Sequence, residues 1–245
     1  MSLVINKLSK KYADGEEDTL HKISLTVEKG EFLCIVGASG CGKSTLLNLV
    51  AGLEQPTSGE ILLDGEKISG PGAERVVMFQ EHGLYPWLSV IDNVKFGMKL
   101  AGIAPNIQEE KAMHYLEMVH LQDYKDYMPH QISGGMKQRV ALARSLTMDA
   151  KVLLMDEPFS ALDKQTSNRL REELQKIWME THKTILFITH SVEEAVYLAD
   201  RVVALSASTR EIAKIIPINL KRPRHVYDTE FTELRHRILD IIKEG

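Results

Sequence analysis

The chain contains very little cysteine and no long apolar run. Of its two cysteines, Cys34 lies just before a glycine-rich loop and Cys41 lies inside that loop. A disulfide between them would distort that loop, so the sequence indicates a reducing compartment. No apolar stretch approaches the roughly 18 residues that cross a bilayer, and the first 20 residues lack the apolar core of a signal peptide. We therefore expect a cytoplasmic chain that a partner could hold peripherally at the cytoplasmic face of the membrane.

The sequence also has no excess of basic over acidic residues. The net charge is −4 and the basic residues are scattered, so we expect no nucleic-acid partner. No internal repeat or low-complexity tract interrupts the sequence. With 44% hydrophobic and 26% charged residues, the 245 residues suffice for one globular domain, with or without an inserted lobe.

Residues 37–45 read GASGCGKST, a complete G-x-x-x-x-G-K-[ST] loop. An apolar run at 32–36 precedes it as a strand would, and residues 43–53 read as a helix, so a chance match in an ordinary turn is the weaker interpretation. Glycines let backbone N–H groups face a polyphosphate, Lys43 can reach the β- and γ-phosphates, and the Ser44 hydroxyl can hold Mg²⁺. The predicted nucleotide-binding residues of the loop are Gly37, Ala38, Ser39, Gly40, Cys41, Gly42, Lys43, Ser44 and Thr45.

A second signal is a pair of acids at the end of an apolar strand. Val152 to Met155 is followed by Asp156 and Glu157. In enzymes with such a phosphate loop, the first acid holds Mg²⁺ and the second orients or deprotonates the attacking water. The alternative is that both are surface acids at a strand end.

The hydrophobic pattern predicts an α/β fold. Alternating apolar positions near the N-terminus indicate an antiparallel β subdomain, and the buried runs at 76–79, 152–155, 184–188 and 202–205 indicate a mostly parallel sheet. Residues 89–148 read as helices. We expect a phosphate-loop NTPase (RecA-like) core over residues 1–220, with a helical subdomain of roughly 89–150 inserted into it, and a short basic connector and helix over 221–245.

Residues 131–139, QISGGMKQR, make the pattern specific. Ser133, Gly134 and Gly135 at a helix start can bind a second anion, and they resemble the signature motif of ATP-binding cassette (ABC) proteins. The sequence is therefore similar to ABC ATPases, whose cofactors are ATP and Mg²⁺. Because one nucleotide has little use for two cradles in one chain, this resemblance implies a head-to-tail homodimer in the ATP-bound state.

Other positions match the family pattern in chain order. Gln80 resembles the Q-loop glutamine, Asp163 belongs to a D-loop-like Ser160–Asp163, His190 resembles the switch histidine that bonds the γ-phosphate, and Tyr12 resembles the aromatic that stacks on adenine. The resemblance thus implies catalytic roles for Lys43, Gln80, Glu157 and His190, metal contacts from Ser44, Gln80 and Asp156, and nucleotide contacts from Tyr12, Ser133, Gly134, Gly135 and Asp163.

The kind of cassette is suggested by three further segments. Residues 83–94 resemble the permease-docking region of importer ATPases, presenting Leu84, Tyr85 and Trp87, although these side chains could instead fill a junction between lobes. Residues 71–75 and 221–224 resemble the nitrate, taurine and alkanesulfonate uptake group, which includes thiamine-precursor systems. This implies integral-membrane permease subunits and, indirectly, a periplasmic or lipid-anchored solute-binding protein for an oxyanion.

Two alternatives stay open at this point. The chain could be a soluble ABC ATPase that serves a non-transport assembly, or a nucleotide-gated scaffold, against which Glu157 argues. We also expect a low thiol pKa and high reactivity for Cys41 beside Lys43, with a buried, inert thiol as the alternative. Arg222 and Arg224 are expected to lie in a solvated connector, ahead of a helix that begins near Asp228 or Thr229.

Overall fold

The computed structural model describes residues 2–13, 17–79, 83–160 and 162–244. It divides into two compact units, the first made of Met1–Arg75, Lys151–Glu157 and His182–Gly245, and the second of Val76–Ala150 and Pro158–Thr181. In chain order the strands and helices are β1 (Ser2–Lys10), β2 (Leu20–Glu28), β3 (Phe32–Gly37), α1 (Lys43–Ala51), β4 (Ser58–Leu63), β5 (Glu66–Lys67), β6 (Arg75–Met78), α2 (Val90–Leu100), α3 (Pro105–Met118), α4 (Gly134–Leu146), β7 (Val152–Asp156), α5 (Lys164–Thr181), β8 (Thr184–Ile188), α6 (Val192–Leu198), β9 (Arg201–Leu205), β10 (Ile212–Pro217) and α7 (Thr229–Glu244).

A small antiparallel sheet, in the order β2-β1-β4-β5, lies in the first unit. Leu3 of β1 stands opposite Val27 of β2 and Leu63 of β4, and all three side chains are buried. The alternation read from the sequence arises here because successive side chains of a strand point to opposite faces of the sheet. The predicted antiparallel N-terminal strands are confirmed.

The larger sheet carries the first unit's main core, and its strands there run in the order β10-β9-β3-β8-β7. Strand β3 pairs in parallel with β8 and β9, and β7 pairs in parallel with β8, whereas β10 is antiparallel to β9. Every residue of β3 and β8 is buried, as expected for parallel strands covered on both faces. Because the strands are parallel, the carboxyl ends of β3, β7 and β8 meet at one edge, where α/β proteins bind ligands.

The second unit is mainly helical. Helices α2, α3 and α4 pack against one another. Ser89 caps α2 as predicted, since its Oγ accepts from the Asp92 N–H at 3.2 Å. No helix in the described part of the chain combines the length and the apolar character that a membrane crossing needs.

Two features near the C-terminus differ from the expectation. Strand β10 was missed because it is an edge strand whose exposed side chains give no alternating pattern. The expectation that Arg222 and Arg224 lie in a solvated connector is wrong. Arg224 is 3% exposed, and its guanidinium donates to the carbonyls of Val196, Tyr197 and Ala199 at 2.7–3.1 Å. It therefore satisfies carbonyl groups that the end of α6 would leave unpaired.

Arg222 supports the same helix end. Its guanidinium donates to the Leu198 carbonyl at 2.6 Å and to Asp200 Oδ1 at 2.7 Å. Helix α7 begins at Thr229, as expected, and buries Phe231 and Ile238.

Candidate functional site

The glycine-rich loop joins the end of β3 to the start of α1 in the first unit. Gly42, the N-cap of α1, has a φ of 97°. A Cβ at Gly42 would lie 2.6 Å from Leu20 Cδ2 and 2.7 Å from the Thr19 carbonyl oxygen, so both the backbone conformation and the packing require glycine. Helix α1 thus begins at the loop with its positive dipole end and no side-chain cap, an arrangement suited to phosphate.

Lys43 is buried within this loop. Its Nζ donates to the carbonyl oxygens of Gly37 at 3.0 Å and Ala38 at 2.9 Å. The ammonium group is therefore held at the centre of the loop by neutral acceptors, which a charged phosphate oxygen can replace with a stronger hydrogen bond.

Ser44 and Asp156 meet where β7 ends. The Ser44 Oγ donates to Asp156 Oδ1 at 3.2 Å. Burial raises the pKa of the Asp156 carboxyl, and the neighbouring Glu157 adds to the rise, while the bond from Ser44 and the charge of Lys43 oppose it. Two oxygen donors thus lie side by side in a partly desolvated setting, and oxygen is the ligand atom that hard cations prefer.

Glu157 and His190 form the next pair. His190 Nδ1 lies 2.9 Å from Glu157 Oε2, and the Glu157 N–H donates to the Ile188 carbonyl of β8 at 2.9 Å. Glu157 has a φ of 44°, a left-handed conformation that costs an L residue about 1–2 kcal/mol. This conformation follows directly on β7 and carries the carboxylate beside His190, whose side chain is 63% exposed.

Tyr12 lies beside the first turn of α1. Its hydroxyl donates to Glu54 Oε2 at 2.7 Å and lies 3.4 Å from Thr45 Oγ1. Lys10 pairs with Glu54 at 3.2 Å and has its Nζ 4.8 Å from the centre of the Tyr12 ring. The ring is 40% exposed, so an apolar surface remains available next to the loop.

The expected reactivity of Cys41 is wrong. Its side chain is fully buried, and burial raises the pKa of the thiol, although Lys43 opposes this. The sulfur packs against Gly37, where an added Cβ would lie 2.7 Å from Cys41 Sγ. Desolvation outweighs the nearby cation, because the thiol faces the protein interior, and the thiolate is disfavoured.

The signature-like residues lie in the second unit, at the start of α4. Ser133 is the N-cap, with its Oγ accepting from the Met136 N–H at 3.3 Å. A Cβ on Gly134 would meet nothing within 4 Å, whereas one on Gly135 would lie 2.7 Å from Thr166 Cγ2. Ser133 and Gly134 are exposed, so the start of this helix lies at the surface of the unit.

Asp163 caps the next helix in that unit. Its Oδ1 accepts from the N–H groups of Gln165 at 3.1 Å and Thr166 at 3.0 Å. Gln80, a predicted catalytic and metal-binding residue, lies outside the described residues.

Sequence reasoning missed two contacts of the loop and its neighbours. Arg210 Nη1 donates to the Gly40 carbonyl at 2.9 Å, and Glu194 Oε2 accepts from Thr189 Oγ1 at 2.6 Å. Arg210 stands far from the loop in sequence and belongs to no motif that we recognised. Glu194 lies four residues after His190, and this spacing is a sequence signal that both residues stand near the start of one helix.

A phosphate-binding loop, a carboxylate pair and a histidine at one sheet edge define a nucleoside-triphosphatase of the phosphate-loop class. The family model described as "ABC transporter" matches residues 20–160. An uncharacterized ABC transporter ATP-binding protein of Methanocaldococcus jannaschii is 52% identical over 92% of this chain and 84% of its own length. The chain belongs to the ABC transporter family, and the resemblance read from its motifs is confirmed.

Further relatives and solved structures support the same family assignment. The nitrate import ATP-binding protein NrtD of Synechocystis sp. is 50% identical over 90% of this chain and 84% of that protein. The aliphatic sulfonates import ATP-binding protein SsuB of Bacillus thuringiensis subsp. konkukian is 42% identical over 100% of this chain and 97% of that protein. A solved dimeric structure of MJ0796, a bacterial ABC transporter cassette, superposes with a TM-score of 0.78 at 29% identity, covering 89% of this chain and 100% of that one.

A second structure of MJ0796 is a dimer in a post-hydrolysis state with ADP and Pi, and it superposes with a TM-score of 0.77 at 29% identity, covering 89% of this chain and 100% of that one. The α/β fold predicted from the sequence and the prediction of an ATP-hydrolysing ABC cassette are both confirmed. This chain is an ATPase that binds ATP.

Proposed function

We propose that this chain powers an importer for a small oxyanion, of the chemical kind represented by nitrate, taurine and alkanesulfonates. The observation that carries the proposal is the 42–50% identity, over at least 84% of each protein, to proteins named for nitrate and for aliphatic sulfonate import. Both named solutes are small anions whose charge is spread over oxygens. Selection between them belongs to the permease and the solute-binding protein, because the cassette itself contacts nucleotide.

The residues at the sheet edge divide the work of hydrolysis. Loop N–H groups and Lys43 hold the phosphates, and the Tyr12 ring offers a face for adenine. Glu157 takes the proton of the attacking water, and the 2.9 Å contact to His190 Nδ1 fixes its carboxylate. His190 then has Nε2 to direct at a γ-phosphate oxygen.

The oxygens of Ser44 and Asp156 fit Mg²⁺, with Gln80 as the third predicted contact. The fit rests on the donor set, since hard oxygen ligands 3.2 Å apart at the end of β7 match the preference of this cation. When bound, Mg²⁺ would neutralise phosphate charge. The protein's own part is to keep Asp156 ionised against its burial, which the bond from Ser44 and the charge of Lys43 favour.

Ser133 and Gly134 complete the site of a second copy of the chain. The exposed start of α4 gives them a helix end that can approach the phosphates held by another copy. The dimeric relative MJ0796 supports a homodimer with ATP held between the loop of one subunit and the signature of the other.

A groove in the second unit is suited to the permease. Phe79 is 51% and Trp87 69% exposed, and Phe79, Tyr85, Phe96 and Met148 line a cavity of about 550 Å³. The Tyr85 ring packs on Phe96 with ring centres 4.3 Å apart, and Arg144 lies 5.7 Å from the Tyr85 ring centre. An apolar groove with aromatic walls fits a short helix of a membrane partner.

In this proposal the permease holds the chain peripherally at the cytoplasmic face of the membrane, and a solute-binding protein is an indirect partner. The test is growth and uptake. A strain without the chain should lose uptake of one of nitrate, taurine or an alkanesulfonate, and should grow normally on ammonium and sulfate. A plasmid copy should restore uptake, and a Glu157→Gln copy should not.

Co-purification gives the second readout. The tagged chain should be recovered from detergent-solubilised membranes together with integral-membrane permease subunits. Unchanged uptake of all three solutes, with recovery of the chain in a membrane-free complex, would overturn the importer and favour a soluble ABC assembly.

A further inference from the structure

The backbone on both sides of His190 is closed by a ring of side-chain hydrogen bonds. Thr189 Oγ1 donates to Glu194 Oε2 at 2.6 Å and accepts from the Ser191 N–H at 3.0 Å. Ser191 Oγ in turn accepts from the Glu194 N–H at 3.3 Å, which makes Ser191 the N-cap of α6. The His190 side chain takes no part in this ring, and its Nδ1 lies 2.9 Å from Glu157 Oε2.

The ring is anchored in the core. Thr189 is 2% exposed, and its N–H donates to the Ile35 carbonyl of β3 at 3.2 Å. Glu194 lies on α6, which packs against the same strand. The Thr189 to Glu194 bond therefore joins the end of β8 to α6 above β3, and the direction of His190 depends on it.

Packing contributes little to that direction, because the His190 side chain is largely exposed. A hydrogen bond to a carboxylate is about twice as strong as one between neutral groups, and this one is short and shielded on the Thr189 side. Without it, the turn can rotate while β8 and α6 stay folded.

We propose that Glu194 is a positioning residue for ATP hydrolysis: through Thr189 it holds His190 against Glu157. The proposal rests on the role given to His190 above. The effect of Glu194 on turnover passes entirely through His190.

A purely structural role for Glu194, in which it only stabilises α6, predicts a different outcome of the experiment. Glu194 also stands in the first turn of α6, where an acid stabilises the helix dipole. Glu193 occupies the same turn and pairs with Arg235 at 3.4 Å. Glu193→Ala is thus a matched control that removes an acid from that turn and leaves the ring intact.

The experiment measures single-turnover ATP hydrolysis with the dimeric protein in excess, so that slow rates are accessible. We expect Glu194→Ala and Thr189→Val each to lower the rate about 10- to 100-fold, the scale of a catalytic group displaced by about 1 Å, with nucleotide affinity within about threefold of wild type. Glu194→Gln keeps an acceptor oxygen and should recover most of the rate. Glu193→Ala should stay within about twofold, the scale of an exposed pair.

The deciding comparison is made in a His190→Ala background. There Glu194→Ala should cause no further loss, because the group that it positions is gone. An equal loss from Glu194→Ala with and without His190 would overturn the proposal, as would a rate within about twofold of wild type for the single variants. Should Glu194→Ala fail to fold, Thr189→Val carries the same comparison, since it removes the same bond without changing the size of the side chain. A normal rate for His190→Ala would instead refute the role of His190 itself.

Discussion

The first unit holds its functional side chains in contact with one another, whereas the second unit presents them to solvent. Lys43 is bonded to loop carbonyls, Ser44 to Asp156, and Glu157 to His190. In the second unit, Ser133 and Gly134 are exposed and Trp87 is 69% exposed. The difference matches our proposals that the first unit carries the residues of hydrolysis and that the second carries surfaces for a second copy of the chain and for the permease.

The largest effect should come from breaking the contacts of the first unit at Glu157. We expect Glu157→Gln to lower ATP turnover by about 10² to 10⁴, the usual contribution of a positioned base, because the amide cannot take a proton from water. ATP binding should persist, and the variant should form a stable dimer with ATP. Steady-state hydrolysis and size-exclusion chromatography with ATP measure both effects.

An exposed acid provides the control for that substitution. Glu233 on α7 is exposed and far along the chain from the loop, so Glu233→Gln should leave turnover unchanged. Turnover of Glu157→Gln within about threefold of wild type would remove Glu157 from the role of base.

Mixing two inactive chains tests whether the surface of the second unit acts on another copy. Lys43→Ala damages the loop and Gly134→Asp places a negative charge at the exposed start of α4, so each chain alone should be nearly inactive. In an equal mixture, half of the dimers are mixed and each of these has one intact site of two, so about a quarter of wild-type activity should return.

The mixture needs its own check on assembly. Heterodimers should be demonstrated with two different affinity tags in the same sample. If heterodimers form and no activity returns, the sites are not shared between chains, or both must hydrolyse together.

A smaller and more selective effect is expected from the groove of the second unit. Trp87→Ala removes a largely exposed aromatic, so the isolated chain should keep its ATPase activity and its stability. Solute uptake should fall about 10-fold or more, since a buried aromatic anchor of an interface is worth about 2 kcal/mol. Tyr227→Ala is the matched control, because Tyr227 is 95% exposed in the first unit.

Equal losses of uptake and of isolated ATPase activity for Trp87→Ala would show that Trp87 supports folding rather than a partner. Unchanged uptake would exclude Trp87, which lies beside the groove with its ring centre 5.5 Å from that of Tyr85, as a permease contact.

Motif residues could be predicted from the sequence, whereas contacts between distant segments could not. The spacing of the phosphate loop and of the strand-end acids predicted residues that the structure brings together, because parallel strands carry their ends to one edge. The contacts of Arg224 and Arg210 could not be predicted, since their partners are backbone carbonyls that only the fold brings near. Strand β10 was missed for a related reason, because its pairing with β9 and not its own pattern makes it a strand.

Cys41 gives the smallest expected effect and tests how tightly the loop of the first unit is closed. Because the thiol is buried and its pKa is raised, the reactive thiolate is scarce near pH 7 and increases as the pH rises toward that pKa. We expect a maleimide to modify Cys41 more slowly than a small free thiol, and faster as the pH is raised. Cys34 should react more slowly still, since burial raises its pKa well above the ordinary value.

Saturating Mg²⁺-ATP should slow the labelling of Cys41 further, because the bound phosphates restrain the loop that must open to expose the sulfur. Mass spectrometry of tryptic peptides follows each thiol separately, with the denatured chain as the control for intrinsic reactivity. Rapid labelling of Cys41 at pH 7, at the rate found in the denatured chain, would show that the loop opens freely and that its internal contacts do not hold it closed.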